Sequence, residues 1–173
     1  MIRPFLELGR IVSTHGVRGE VRVQPWCDDA DFACSFQTLY FDANGEKPIR
    51  VLGARPHGNV VLMKLEGVET VEQANLLRSK VLYIARKDAN LPDGVDFIAD
   101  LLGCDVLDEQ QPEKRYGRLT DITSNGANEI WEVTADDGAK YLLPAVPQFV
   151  KRRDAANNRV YISPIKGMFD DEV

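Results

Sequence analysis

Signals that reverse the chain recur along this sequence at Asn44-Gly45, His57-Gly58-Asn59, Asn125-Gly126, Asp137-Gly138 and Asn157-Asn158. Asn-Gly and Asp-Gly favour the positive-φ geometry of tight hairpin turns. The segments between them therefore have room only for short strands, and their composition agrees. Residues 5–12, 20–26, 38–41, 48–55, 60–65 and 81–85 read as six strands. In the second of these, Val21 and Val23 face one way while Glu20, Arg22 and Gln24 face the other. Residues 27–36 are either a short helical turn capped by Asp28 or Asp29, or a crossing loop. One helix is well marked. Thr70 and Gln73 stand at capping-box spacing, Val71, Ala74 and Leu77 repeat at helical spacing, and the helix is expected to end near Lys80. Six short strands and little helix predict a small barrel or sandwich, and closure would remove exposed strand edges.

From residue 86 the composition turns polar and brings in Pro92 and Gly94, the character of an inter-domain linker. A second β-rich pattern follows. Residues 101–106, 116–122, 129–134, 140–143 and 159–163 are expected as strands, with Pro144 stopping the fourth and residues 148–153 forming a basic helical turn. The fold class is thus mostly β, two small β-barrel domains with short helices. The first is a six-stranded barrel over residues 1–86, joined by a linker at 87–96 to a second barrel over 97–173. Trp26 and Trp131 both lie in strand patterns and are expected in the cores.

The formal net charge of −6 argues against a free-standing nucleic-acid binder, whose affinity rests on phosphate neutralisation. RNA contact would be local or indirect, and a basic protein partner suits such a surface. The local cations are Arg10, Arg18 and Arg22 around the glycine-containing loop at 13–19, and Lys151-Arg152-Arg153. That second run would serve either as a basic contact or to neutralise the acidic tail. Cys27, Cys34 and Cys104 are too few and scattered for a disulfide framework and read as buried free thiols of a reducing compartment. With no apolar leader and no run near the ~20 residues of a membrane span, the expected location is cytoplasmic.

Chemistry-bearing residues are sparse. His15 and His57 both sit beside glycine in turn-like segments; His57 reads as a solvated turn residue, His15 as a contact residue rather than an acid or base. There is no nucleophile elbow, no phosphate-binding glycine loop and no zinc spacing. The acidic groups Asp28-Asp29, Asp136-Asp137 and Asp170-Asp171-Glu172 read as solvated turns or tail. No cofactor and no metal are expected.

One stretch is more specific. Gly9-Arg10-Ile11-Val12 followed by Thr14-His15-Gly16-Val17-Arg18-Gly19-Glu20-Val21 resembles the N-terminal signature of the RimM family, the bacterial ribosome maturation factors also described as 16S rRNA processing proteins. The second half resembles the same family in order. Its matches are Asp100-Leu101-Leu102-Gly103-Cys104, Gly117-Arg118-Leu119-Thr120-Asp121-Ile122, Asn125-Gly126-Ala127-Asn128-Glu129, Leu142-Leu143-Pro144-Ala145-Val146 and Pro164-Ile165-Lys166-Gly167-Met168-Phe169. The resemblance implies a barrel like those of translation factors followed by a PRC-type barrel. It implies a non-enzymatic monomer, without membrane contact, that binds the immature small (30S) ribosomal subunit. The nineteenth protein of that subunit, which lies in its head, would be a direct partner, 16S rRNA a further one, and the effect would be late head assembly and rRNA processing. Phe97, Ile98 and Leu101 are then the candidates for the protein contact, and Arg10, His15, Arg18 and Arg22 for RNA or loop contacts. The family usually places an aromatic cluster just before the Asp-Leu-Ile-Gly string; here Asp96, Phe97 and Ile98 keep a single aromatic ring. Two other classes compete. An rRNA-acting nuclease or modifying enzyme would need a metal site or cofactor pocket that the sequence does not display. A β-barrel adaptor unrelated to ribosomes fits the composition but not the ordered motifs.

Overall fold

The structure is a computed structural model that describes residues 2–27, 29–91 and 95–169. The chain divides into two compact units, Arg3–Asn90 and a second built from Leu91 onward.

The first unit contains strands β1 (Phe5–His15), β2 (Glu20–Pro25), β3 (Thr38–Tyr40), β4 (Pro48–His57), β5 (Val60–Leu65) and β6 (Val81–Ala85), with helices α1 (Ala30–Cys34) and α2 (Val71–Leu76). The strands close into a barrel in the order β1-β2-β5-β4-β3-β6, every pair antiparallel. Closure depends on β6, which pairs with β1 along its length and meets β3 at Tyr83–Tyr40. β1 is longer than its pattern predicts because register shifts after Glu7 and Ile11 bend it; it can then serve β6 with one end and β2 with the other. Alternation fills the interior with Leu8, Ile11, Val21, Val23, Leu39, Val61, Met63, Leu65, Leu82 and Ile84, each at most 2% exposed. Full burial of such a side chain contributes roughly 1.5–3 kcal/mol.

The capping box of α2 forms as its spacing predicts. The Gln73 amide N–H donates to Thr70 Oγ1, and Gln73 Oε1 accepts from the amides of Thr70 and Glu69. The helix stops earlier than expected, with Leu77 as C-cap and Ser79 at φ 70°. Residues 30–34 take the helical alternative, capped by Asp29, whose Oδ1 accepts from the Asp31 amide at 2.8 Å; Asp28 lies outside the described residues. Trp26 corrects an expectation. It is 50% exposed, because β2 ends at Pro25 and an indole placed after the last strand residue has left the barrel wall.

The second unit contains α3 (Ile98–Leu101), β7 (Asp105–Asp108), β8 (Arg115–Ser124), β9 (Glu129–Thr134), β10 (Lys140–Pro144), β11 (Val150–Asp154) and β12 (Arg159–Ile162). They form one six-stranded sheet, β10-β9-β8-β7-β12-β11. Its pairs are antiparallel except β12 on β7, which is parallel. The outermost strands β10 and β11 follow one another in the chain across residues 145–149 only, so the sheet curls around its core. That core is Leu101, Cys104, Val106, Leu119, Trp131, Val133, Leu143, Val160 and Ile162. Trp131 is fully buried, as its strand position predicts, and its Nε1–H donates to Glu129 Oε2 at 3.2 Å.

Two expectations fail here. The strand expected at 101–106 is the end of α3 plus a turn, and pairing begins only at Asp105. The turn is closed by the Cys104 amide on the Leu101 carbonyl and the Gly103 amide on the Leu119 carbonyl. The basic helical turn expected at 148–153 is largely strand β11. Its cations alternate in use: Arg152 stacks on the Tyr161 ring across the strand pair, 3.8 Å from the centroid, and Arg153 lies 5.3 Å from the Trp131 ring and 3.9 Å from Glu129. Of the three cysteines, none in a disulfide, only Cys104 is buried; Cys27 and Cys34 are half-buried. Burial pushes the Cys104 thiol above its ordinary value.

Candidate functional site

The β1–β2 hairpin is the best-built part of the first unit's surface. His15 and Glu20 face each other in register, leaving residues 16–19 as the tip. Gly19 is required there. Its φ is 78°, and a Cβ on it would lie 2.6 Å from the Val68 carbonyl oxygen, so the loop packs backbone to backbone against the segment before α2. Lys64 holds the same junction by donating to the Arg18 and Val68 carbonyls. The tip thus fixed leaves Val17 82% exposed and Arg18 exposed beside it.

Behind the tip the structure gathers a charged cluster across β1, β2 and β4. Arg22 Nη2 lies 3.2 Å from His15 Nδ1, and Arg22 Nε is buried without a hydrogen-bond partner. A guanidinium can only donate, so in this contact His15 accepts at Nδ1. The His57 ring stands 5.4 Å from that of His15, tilted by 56°. Arg55 grips Glu20 with both arms of its fork, at 2.6 and 3.1 Å.

Of the four residues expected to contact RNA, the fold therefore brings His15 and Arg22 into direct contact and puts Arg18 at the tip they support. Arg10 is exposed but sits elsewhere on β1, paired with Gln24, roughly 16 Å from His15 at ~3.3 Å per residue. Sequence reasoning missed His57, Glu20 and Arg55 as members of this cluster. Glu20 faces His15 in the β1–β2 register, whereas Arg55 and His57 arrive through the β2–β5 and β4–β5 registers, which no local pattern announces.

The Glu20–Arg55 pair has a pH consequence. The Arg55 hydrogen bonds hold the Glu20 carboxyl below its ordinary value of 4.5. A carboxyl depressed by folding stabilises the fold above its unfolded value, and the contribution disappears as pH falls through the folded value. Between pH 4.5 and the folded value, Glu20→Gln should therefore lose melting temperature less steeply than the parent. Parallel curves of melting temperature against pH would show that the pair contributes nothing, the usual result for wholly exposed pairs.

In the second unit, Phe97 is the N-cap of α3 and half-buried, while Ile98 is 45% exposed. Leu101 differs from its expected role: at 1% exposure it is a core residue, drawn inward by the turn that follows α3. Leu102, 41% exposed, carries the apolar surface onward instead. The acidic pair Asp136-Asp137 is used locally. Asp136 accepts from Arg115 Nη1 at 2.5 Å, and Asp137 Oδ1 accepts from the Ala139 amide. Among the described residues, no group of three or more His, Cys, Asp and Glu is placed to hold a metal ion, and no helix is long and apolar enough to cross a membrane. Asp28 and the acidic residues 170–172 lie outside the described residues.

Comparison with known proteins adds to this geometry. The RimM N-terminal domain profile matches residues 6–89, and the RimM PRC barrel domain profile matches residues 98–168. The chain belongs to the RimM family. Proteins named ribosome maturation factor RimM are similar along nearly the whole chain. The one from Clostridium botulinum (strain Langeland) is 36% identical over 166 residues, 95% of this chain and 97% of that protein. That from Clostridioides difficile is 34% identical over 165 residues, 95% of each. That from Lactobacillus helveticus is 36% identical over 172 residues, 97% of this chain and 99% of that protein. The RimM N-terminal profile covers the closed barrel and its hairpin tip, and the PRC profile begins at Ile98, the first residue of α3.

Proposed function

We propose that this RimM-family chain is a non-enzymatic, cytoplasmic accessory factor that binds the immature small ribosomal subunit as a monomer. Its direct partner is a basic protein of the subunit head, the nineteenth small-subunit protein. The observation that carries the reading is the apolar start of α3, half-buried Phe97 and exposed Ile98, on a chain of net charge −6. Apolar anchors supply binding energy at such a surface, while the acidic surround steers and selects a basic partner. Arg18, with His15 and Arg22 behind it, serves a local contact to 16S rRNA, and Arg10 is a separate phosphate contact. The mechanism is population shift. A factor that binds one local arrangement of RNA and protein more tightly than its competitors raises that arrangement's population by the difference in affinity. It leaves when the matured site no longer offers the contact.

Co-sedimentation across a salt series tests the reading. Binding to free small subunits but not to joined ribosomes is expected, with a shallow salt dependence because protein contacts dominate. Absence from every ribosomal fraction at all salts would overturn it. More locally, Phe97→Ala should leave the circular dichroism spectrum unchanged and weaken binding of the purified head protein about tenfold, the loss of one anchor worth ~1.4 kcal/mol. Unchanged affinity by calorimetry would remove Phe97 from the interface.

A further inference from the structure

The closing motif Pro164-Ile165-Lys166-Gly167-Met168-Phe169 has no part in the surfaces described so far, yet it builds a cleft. The Met168 amide donates to the Ile165 carbonyl at 3.2 Å, closing a turn with Gly167 at φ 85°. The turn returns the chain so that the Phe169 ring packs on Tyr116 at 4.5 Å and on Tyr141 at 5.1 Å between centroids. Tyr116 is itself fixed, its hydroxyl donating to Asp108 Oδ2 at 2.6 Å. Lys114 Nζ stands 4.9 Å from the Tyr116 ring centroid. Lys114, Tyr116, Pro164, Ile165, Lys166 and Phe169 together line a cleft of about 220 Å³.

We propose that this cleft takes one unstacked nucleobase of single-stranded RNA, with Lys114 and Lys166 holding the adjoining phosphates. Three features carry the inference. Beside the two lysines the lining carries the Tyr116 and Phe169 rings and Ile165, and Ile165 is 58% exposed, so apolar surface remains to be covered. Both lysines are exposed, and among the described residues no carboxylate lies within ion-pair distance of either. Asp108, the acid on this side, already accepts from Tyr116 and from the amides of Gln110 and Gln111. The volume is below the roughly 300 Å³ at which sites for drug-sized ligands begin, so it suits a single ring system. Aromatic walls beside a basic track are how proteins hold single-stranded nucleic acid with little regard to sequence. On a chain of net charge −6 such a site is a further local contact, additional to those proposed on the first unit. The choice of RNA as occupant rests on the ribosome reading above.

The test is fluorescence polarisation of the full chain with a labelled short oligoadenylate, set beside co-sedimentation with small subunits. The parent should bind the probe, and Lys114→Glu with Lys166→Glu should weaken binding at least tenfold. The same change should flatten the slope of log affinity against log salt by about 1.4, from ~0.7 per phosphate contact on a single strand. Ile165→Glu, a change at an exposed position, should weaken binding without unfolding the chain. No probe binding by the parent, or equal affinity and slope in the lysine variant, would overturn the cleft. So would competition by polyglutamate as effective as by unlabelled RNA, since that marks a general anion site. If the lysine variant matches the parent on RNA while both co-sediment with small subunits, the cleft is lost and the ribosome reading stands. If the variant loses RNA and neither protein co-sediments, the cleft stands and the ribosome reading is lost.

Discussion

Replacing Gly117 with alanine is expected to destabilise the second unit by about 4 kcal/mol or more, the range reached only by changes the backbone cannot absorb. Gly117 lies in β8 at φ 152°, and a Cβ built on it would come within 2.3 Å of the Thr134 carbonyl oxygen and 2.7 Å of its carbon. Those atoms belong to β9, whose Thr134 is held on both sides, by Arg118 in β8 and by Lys140 in β10. Neither strand can move away without breaking a ladder. The position also adjoins a register shift between Val106 and Leu107 in β7. Denaturation followed by tryptophan emission reads this unit almost alone. Of the two tryptophans, Trp131 is fully buried in it, whereas Trp26 in the other unit is already half exposed. The red shift of the Trp131 emission should move to a much lower denaturant concentration. A midpoint equal to the parent's would mean that β8 and β9 separate freely here, contrary to the registers described.

Trp131→Ala should lose a comparable amount, about 3–5 kcal/mol, through lost apolar burial and the cavity left in a packed core. Trp131 is the largest fully buried side chain of its sheet. Its removal would also leave Glu129 Oε2 without the indole N–H and Arg153 without the ring beside it. Trp131→Phe separates the two effects. It keeps most of the buried ring and forfeits one hydrogen bond to a charged acceptor, so it should be destabilised less than the alanine variant. Circular dichroism melting provides the measurement, since the fluorescent reporter is removed. Equal melting temperatures for the two variants would show that the hydrogen bond outweighs the cavity.

Much of this fold was legible because its punctuation is local. Asp137-Gly138 places the β9–β10 hairpin, and Thr70 with Gln73 places the start of α2. The parts that were not legible depend on partners distant in sequence. The run Leu101-Leu102-Gly103-Cys104 is apolar whether it forms a strand or the end of a one-turn helix, and periodicity over so few residues cannot separate the two. Residues 148–153 suggest a helical turn in sequence because a basic run has no apolar alternation. Their alternation exists nonetheless, written in the rings of Tyr161 and Trp131 that Arg152 and Arg153 cover. The candidate surfaces divide in the same way. His15, Glu20 and Arg22 sit close enough in sequence for one hairpin to join them, whereas His57 and Arg55 enter the same cluster only through β5, which pairs with both β2 and β4. Leu101 is a contact candidate only as a neighbour of Phe97, and a single turn of helix decides whether such a leucine points outward or, as here, into the core.

The parallel pairing of β12 on β7 sets an order on biosynthesis. In a growing chain the meander β7 to β10 can form as each strand follows its neighbour, but β7 keeps one edge open while β8, β9, β10 and β11 are made, and β11 has no partner until β12 arrives. Vectorial synthesis thus carries an unprotected strand edge through most of this unit, the kind of edge that recruits foreign strands. A nascent chain halted before residue 159 would expose that edge, whereas the first unit has sealed its own once β6 closes the barrel.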